Sequence, residues 1–119
     1  MKKTIVLGAS PNTRRYAYHA VQRLLAAGHE VIPVGIKKGI IEGIPIRNDQ
    51  SLIEDIDTIT LYINPTIQKS YYDYILSLKP NRIIFNPGTE NPELANLAKE
   101  KGIETEVACT LVLLSLNEY

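Results

Sequence analysis

The sequence predicts an α/β protein: a mostly parallel five-stranded sheet with helices on both faces. Two observations carry that prediction. Short apolar or β-branched runs alternate with segments of helical spacing along the whole chain. Glycine or an Asn-Pro pair punctuates most of the junctions between them.

Thr4-Ile5-Val6-Leu7 is a continuous apolar run, the pattern of a strand covered on both faces. A polar loop follows Gly8, and a helix is expected to begin near residues 12–14. Ala17, Ala20, Val21, Leu24 and Leu25 form its inward stripe, and Gly28 ends it as a C′ residue. Residues 30–34 read as the second strand, with Pro33 its weak point because proline cannot donate to a ladder. Residues 36–48, with Gly39, Gly43 and Pro45, read as an irregular connection. Residues 51–54 read as a short helical turn capped by Ser51 or Asp49.

Residues 58–63 are rich in β-branched side chains and make a third strand. Asn64 supplies an N-cap with Pro65 at N1, opening a helix lined by Ile67, Tyr71, Tyr74, Ile75 and Leu78. Tyr72 is expected to point outward. Residues 82–86 form a fourth strand. Asn91 and Pro92 open a further helix that buries Leu94, Leu97 and Ala98 and stops at Gly102. Residues 103–107 form the fifth strand. The uniformly apolar run from Leu111 to Leu116 reads as a closing helix, either core or a homodimer contact. This order implies a Rossmann-like, doubly wound sheet with right-handed crossovers. Ligands in such sheets bind at the carboxyl ends of the strands, at the switch point. That rule selects residues 8–16, 35–38, 63–66 and 86–90.

A length of 119 residues suits one domain spanning 1–119. Formal charge balances to +0, so no global basic field argues for nucleic acid. The lone cysteine, Cys109, excludes an internal disulfide and a Cys-based zinc cage, and suits a reducing cytoplasm. Lys2 and Lys3 precede an apolar run as in a secretion signal. That run stops at Gly8, short of the roughly 7–15 apolar residues such a signal needs. No stretch approaches the ~18 apolar residues of a membrane span, so no membrane is expected.

In the first loop, Gly8 and Ala9 turn the chain off the strand, and the free amides of the helix start favour an anion. Ser10, Asn12 and Thr13 add side-chain donors, and Arg14 and Arg15 add charge. The alternative is that Ser10 or Asn12 only caps the helix and the arginines are solvated. The glycine pattern G-x-G-x-x-G is incomplete, with Ser10 and Thr13 at its second and third glycine positions. A dinucleotide site also places an acidic residue after the second strand to bind ribose hydroxyls. Here Val34 leads into Gly35-Ile36-Lys37-Lys38. Lysine at that place favours a ligand with an extra phosphate, for which NADP and coenzyme A both qualify.

Several short motifs fall in a recognisable order: Gly8-Ala9-Ser10, residues 34–37, Gly43, Ser51-Leu52 before Asp57, Pro87-Gly88 and Cys109. Together they resemble the small single-domain CoA-binding proteins, related to the CoA-binding domain of the succinyl-CoA ligase α subunit. The resemblance implies a Rossmann-like domain that binds coenzyme A or an acyl-CoA. On it, Gly8, Ser10, Asn12, Thr13 and Arg14 match the phosphate loop. Val34 and Lys37 match the segment beside the adenine and ribose phosphate. Ile63, Asn64 and Pro65 match the next crevice wall, and Asn86, Pro87 and Gly88 the turn near the pantetheine arm. The chain departs from that pattern at Gly35-Ile36, where Asn-Pro is usual, and at Tyr16-Ala17, where a glycine is common.

No catalytic constellation is visible. His19 and His29 read as structural or solvated, and no Ser-His-Asp arrangement is legible. Cys109 reads as a structural thiol, or alternatively as a partner for CoA in a mixed disulfide. Three functions stay open. The first is a non-catalytic carrier, sensor or regulatory module with CoA as its small-molecule ligand. The second is an NADP-binding oxidoreductase-like domain. The third is an acyl-CoA ligase subunit that needs a partner chain.

Overall fold

The computed structural model describes residues 1–119. Five parallel strands form the main sheet: β1 (Thr4–Leu7), β2 (Val31–Val34), β5 (Thr58–Leu61), β6 (Arg82–Phe85) and β7 (Glu104–Val107). Their order is β2-β1-β5-β6-β7. The chain leaves β1 in one direction to reach β2 and returns in the other to reach β5. The switch point therefore lies between β1 and β5. All neighbours pair in register, with Thr4 beside Val31 and Thr58, and Thr58 beside Arg82.

Alternation along each strand divides the core in two. Ile5, Leu7, Ile59, Leu61, Ile83 and Phe85 face α3 (Tyr72–Ser77) and α4 (Pro92–Glu100), where Tyr74, Ile75, Leu94 and Ala98 complete the larger cluster. On the opposite face Val6 and Val31 pack under α1 (Tyr16–Ala26) through Ala17, Val21 and Leu24. Beside α1 lies α5 (Thr110–Ser115), which the apolar run at the end of the chain predicts. Its first residue is held by buried polar groups. The Thr60 and Thr110 hydroxyls bond at 2.7 Å, and the Thr110 amide donates to Asn86 Oδ1 at 2.9 Å.

Four expectations are corrected. First, α1 begins at Tyr16, with Arg15 as an N-cap that makes no side-chain cap bond. Asn12 instead closes a turn ahead of the helix, its Oδ1 accepting from the Arg14 amide at 3.0 Å. Second, residues 36–48 contain a hairpin, β3 (Ile40–Ile41) and β4 (Ile44–Pro45), rather than only irregular chain. Third, residues 51–54 form no helical turn, although the Asp49 carboxylate does accept from the Ser51 amide at 3.2 Å. The helix behind Asn64 is also divided, into α2 (Pro65–Gln68), a 3-10 turn (Lys69–Tyr71) and α3.

Pro33 is tolerated because β2 is an edge strand. Its carbonyl accepts from the Arg47 amide at 2.9 Å, so its missing donor also faces outward from the sheet. The Gly35 amide donates to the Arg47 carbonyl at 3.0 Å, and a short bridge from Val34 to Arg47 covers the end of this edge. At the far end of the sheet, away from the switch point, Tyr119 closes over Arg82. The guanidinium carbon lies 4.6 Å from the ring centroid, and the Tyr119 hydroxyl meets Thr4 Oγ1 at 2.6 Å. No helix is long and apolar enough to cross a membrane.

Candidate functional site

A cleft of about 400 Å³ opens at the switch point, over the carboxyl ends of β1, β2, β5 and β6. Its first wall is the loop after β1. Gly8 has φ +102°, and a Cβ there would come within 2.9 Å of Ile63 and 3.0 Å of the Tyr62 backbone. Glycine is required by both conformation and space. The Gly8 and Ala9 amides both donate to the Val34 carbonyl, at 2.8 and 3.0 Å, which ties this loop to the end of β2. Ala9 is buried, while Ser10 accepts from the Asn12 amide at 3.1 Å.

The amides of Ser10, Thr13, Tyr16 and Ala17 have no acceptor within the chain. Those of Tyr16 and Ala17 belong to the first turn of α1, whose dipole adds positive potential. Ser10, Tyr16 and Ala17 also line the cleft, as do Arg15 and Lys37. No carboxylate lines it. Such a wall attracts an anion.

The second wall is residues 35–37. Asn48 donates through Nδ2 to the Gly35 and Lys37 carbonyls, both at 2.9 Å, and so fixes the path of the backbone that carries Lys37. Gly39 lies against Pro11, with Pro11 Cβ 2.7 Å from where a Gly39 Cβ would stand. The hairpin segment thus braces the first loop from outside.

The third wall comes from β5, α2 and the turn after β6. Tyr62, Ile63, Ile67, Tyr71, Pro87 and Thr89 line it, and none carries charge. Behind it lies Gln68, fully buried. Its amide nitrogen donates to the carbonyls of Ile63 and Thr89, each at 2.8 Å, and its oxygen accepts from Asn91 at 2.9 Å. Asn91 also donates to the Tyr72 hydroxyl at 2.8 Å, and Tyr72 donates to Glu93 at 2.9 Å. Tyr72 is therefore half-buried and engaged, not outward. The Tyr62 hydroxyl is buried without a partner, and burial pushes its pKa far above the usual tyrosine value.

Of the residues singled out in the sequence, Gly8, Ala9, Ser10, Arg15, Gly35, Lys37, Ile63 and Pro87 meet in this cleft. Asn12, Thr13, Arg14, Val34, Asn64, Pro65, Asn86 and Gly88 do not line it. Asn86 is 2% exposed and fully used, donating to Thr60 Oγ1 at 2.6 Å and the Leu61 carbonyl at 2.8 Å. Asn64 caps α2, its Oδ1 accepting from the Ile67 amide at 2.9 Å. Arg14 is exposed on the loop. The sequence reading did not place Ala17, Tyr62, Ile67 or Tyr71 in the site; Ile36 and Thr89 fall within the strand-end segments it selected. Ile67 and Tyr71 read as core there, whereas the structure divides the helix after Gln68 and places both along the cleft. Cys109 does not line the cleft; it is the half-buried N-cap of α5.

His29 lies away from the cleft, its Nδ1 accepting the Lys2 amide at 2.9 Å and its ring 4.9 Å from that of Tyr119. His19 is exposed on α1.

A parallel sheet with its cleft at the switch point defines the Rossmann-like class, in which ligands sit at the carboxyl ends of the strands. Within that class the chain belongs to the CoA binding domain family, whose sequence model matches residues 2–115. An uncharacterized protein of known crystal structure shares 59% identity, with a TM-score of 0.99 over 100% of this chain and 98% of that one. A hypothetical protein from Pyrococcus horikoshii OT3 shares 25% identity, with a TM-score of 0.85 over 93% of this chain and 80% of that one. A dinucleotide-forming acetyl-coenzyme A synthetase from Ca. Korarchaeum cryptofilum, in complex with phosphate and ADP, shares the fold. The match has a TM-score of 0.68 at 16% identity, over 87% of this chain and 25% of that one. No curated protein matches.

Proposed function

We propose that the cleft binds coenzyme A or an acyl-CoA and that the protein acts as a non-catalytic carrier, sensor or regulatory module. The observation that carries this reading is the set of acceptor-free amides at Ser10, Tyr16 and Ala17, flanked by Arg15 and Lys37 and free of carboxylates. The free amides and Arg15 suit the diphosphate. Lys37, held by Asn48 after β2, suits a ribose phosphate. The uncharged stretch of the third wall at Ile63 and Pro87 suits the neutral pantetheine arm, which leaves the exposed Ile67 beyond it. These residues fit the ligand in kind: Gly8 and Gly35 leave no side chain in the seat, and no acid repels the phosphates.

The cleft is smaller than the whole cofactor, so part of the ligand lies over the mouth, where Tyr16 and Ile36 are 73% and 81% exposed. Membership of the CoA binding domain family favours CoA over NADP. Calorimetric titration with CoA, NADP and ADP tests the reading. CoA is expected to bind at least tenfold more tightly than NADP (about 1.4 kcal/mol). Equal affinities, or preference for NADP, would overturn it.

A further inference from the structure

The cleft is divided by chemistry. Its only charged lining residues, Arg15 and Lys37, come from the α1 and β2 side, together with the acceptor-free amides. The other side, Ile63, Ile67, Tyr71 and Pro87, carries no charge. Ile67 stands 46% exposed there, although it lies in a helical turn that is otherwise well anchored by the Asn64 cap and by buried Gln68. Tyr71 follows one turn later, half-buried, its ring tilted against Tyr74 with centroids 6.5 Å apart. A solvated isoleucine facing a concave mouth beside a tyrosine is apolar surface left open where a ligand passes. The same cleft thus offers an anionic seat at one end and an aliphatic one at the other.

We infer that Ile67 and Tyr71 seat the aliphatic chain of an acyl thioester, so that the cognate ligand is an acyl-CoA of medium or greater chain length and not free CoA. This rests on the CoA reading above and adds the ligand class to it. The anionic end fixes the orientation, because the diphosphate cannot lie on the uncharged wall without losing its cationic partners. The chain then covers Ile67 and gains roughly fourfold in affinity for each methylene fully removed from water, and less for one partly covered.

The full chain is titrated calorimetrically with CoA, acetyl-CoA and octanoyl-CoA. Acetyl-CoA is expected to bind within a few-fold of CoA, and octanoyl-CoA roughly tenfold or more tightly than CoA. Ile67→Asn is expected to bring the ratio of CoA to octanoyl-CoA dissociation constants towards one, and Ile67→Leu to retain it. An unchanged melting temperature confirms that both variants fold. CoA binding with no gain for octanoyl-CoA overturns the acyl seat and leaves the CoA reading standing. A gain that survives in Ile67→Asn overturns the residue assignment. Should Ile67→Asn weaken adenosine 3′,5′-bisphosphate as much as octanoyl-CoA, the adenine occupies this wall and the inference fails. Binding of none of these compounds removes both readings.

Discussion

Gly35 and Ala9 touch backbone to backbone: a Cβ on Gly35 would stand 2.4 Å from the Ala9 carbonyl oxygen. The end of β2 is thereby pressed against the loop that carries the acceptor-free amides. Gly35→Ala has no flexible neighbour to displace, since the obstacle is main chain. The variant is expected to lose about 1–3 kcal/mol of stability through overpacking. It also weakens ligand binding, because the loop must move. Urea denaturation and calorimetry on the same variant read both effects. Full stability with unchanged affinity would contradict the clamp.

The charge assignment separates two adjacent arginines. Arg15 lines the cleft and Arg14 does not. Arg15→Ala and Lys37→Ala are each expected to weaken CoA binding about tenfold, the worth of one charge-assisted hydrogen bond. Arg14→Ala should cost little, and its small effect should vanish in high salt as exposed charges are screened. Dissociation constants at two ionic strengths distinguish the three positions.

Gln68 ties Ile63 to Thr89 and so holds the third wall together. Gln68→Leu preserves bulk but leaves two carbonyls without their donor and removes one of the two acceptors of the Asn91 amide. Each such buried group costs about 1–3 kcal/mol, partly relieved by relaxation, and a total loss of about 2–4 kcal/mol is expected. The unfolding midpoint should fall, and binding of pantetheine-bearing ligands should suffer more than that of adenosine 3′,5′-bisphosphate.

A pH dependence follows from His29. Burial, the positive N-terminus, Lys2 and Arg82 lower its pKa, and the facing Asp57 only partly opposes them. The unfolded chain therefore binds the proton more readily than the folded one. Stability is full above the unfolded value near 6.5 and is lost as the pH falls through the lowered folded value. Protonation would also remove the lone pair that accepts the Lys2 amide. Denaturation midpoints at neutral and mildly acid pH should differ, and His29→Gln, which cannot titrate, should shrink the difference.

The strands and most helix ends were legible because they depend on local chemistry. Asn64-Pro65 and Asn91-Pro92 each act as N-cap and N1, with cap bonds of 2.9 and 3.2 Å. The start of α1 was misplaced because Asn12 satisfies a turn amide, a role that looks identical to capping in sequence. The hairpin escaped notice because strands of two residues have no period to detect. Gln68 carries no local signal in the sequence, since its burial depends on carbonyls from two distant turns. For the same reason the sequence joined Arg14 to the site and omitted Ile67. Which side chains look into a cleft is decided by where a helix starts or breaks, and single-residue offsets rotate that choice.

The short bridge from Arg47 along the end of β2 has a consequence for how copies of this chain meet. With Pro33 and the bridge closing one margin of the sheet, the other margin is β7, which carries exposed Glu104 and also Glu106, the latter paired with Arg82 at 3.4 Å. Two such margins brought together would set carboxylates near carboxylates, which disfavours continuous sheet growth from molecule to molecule.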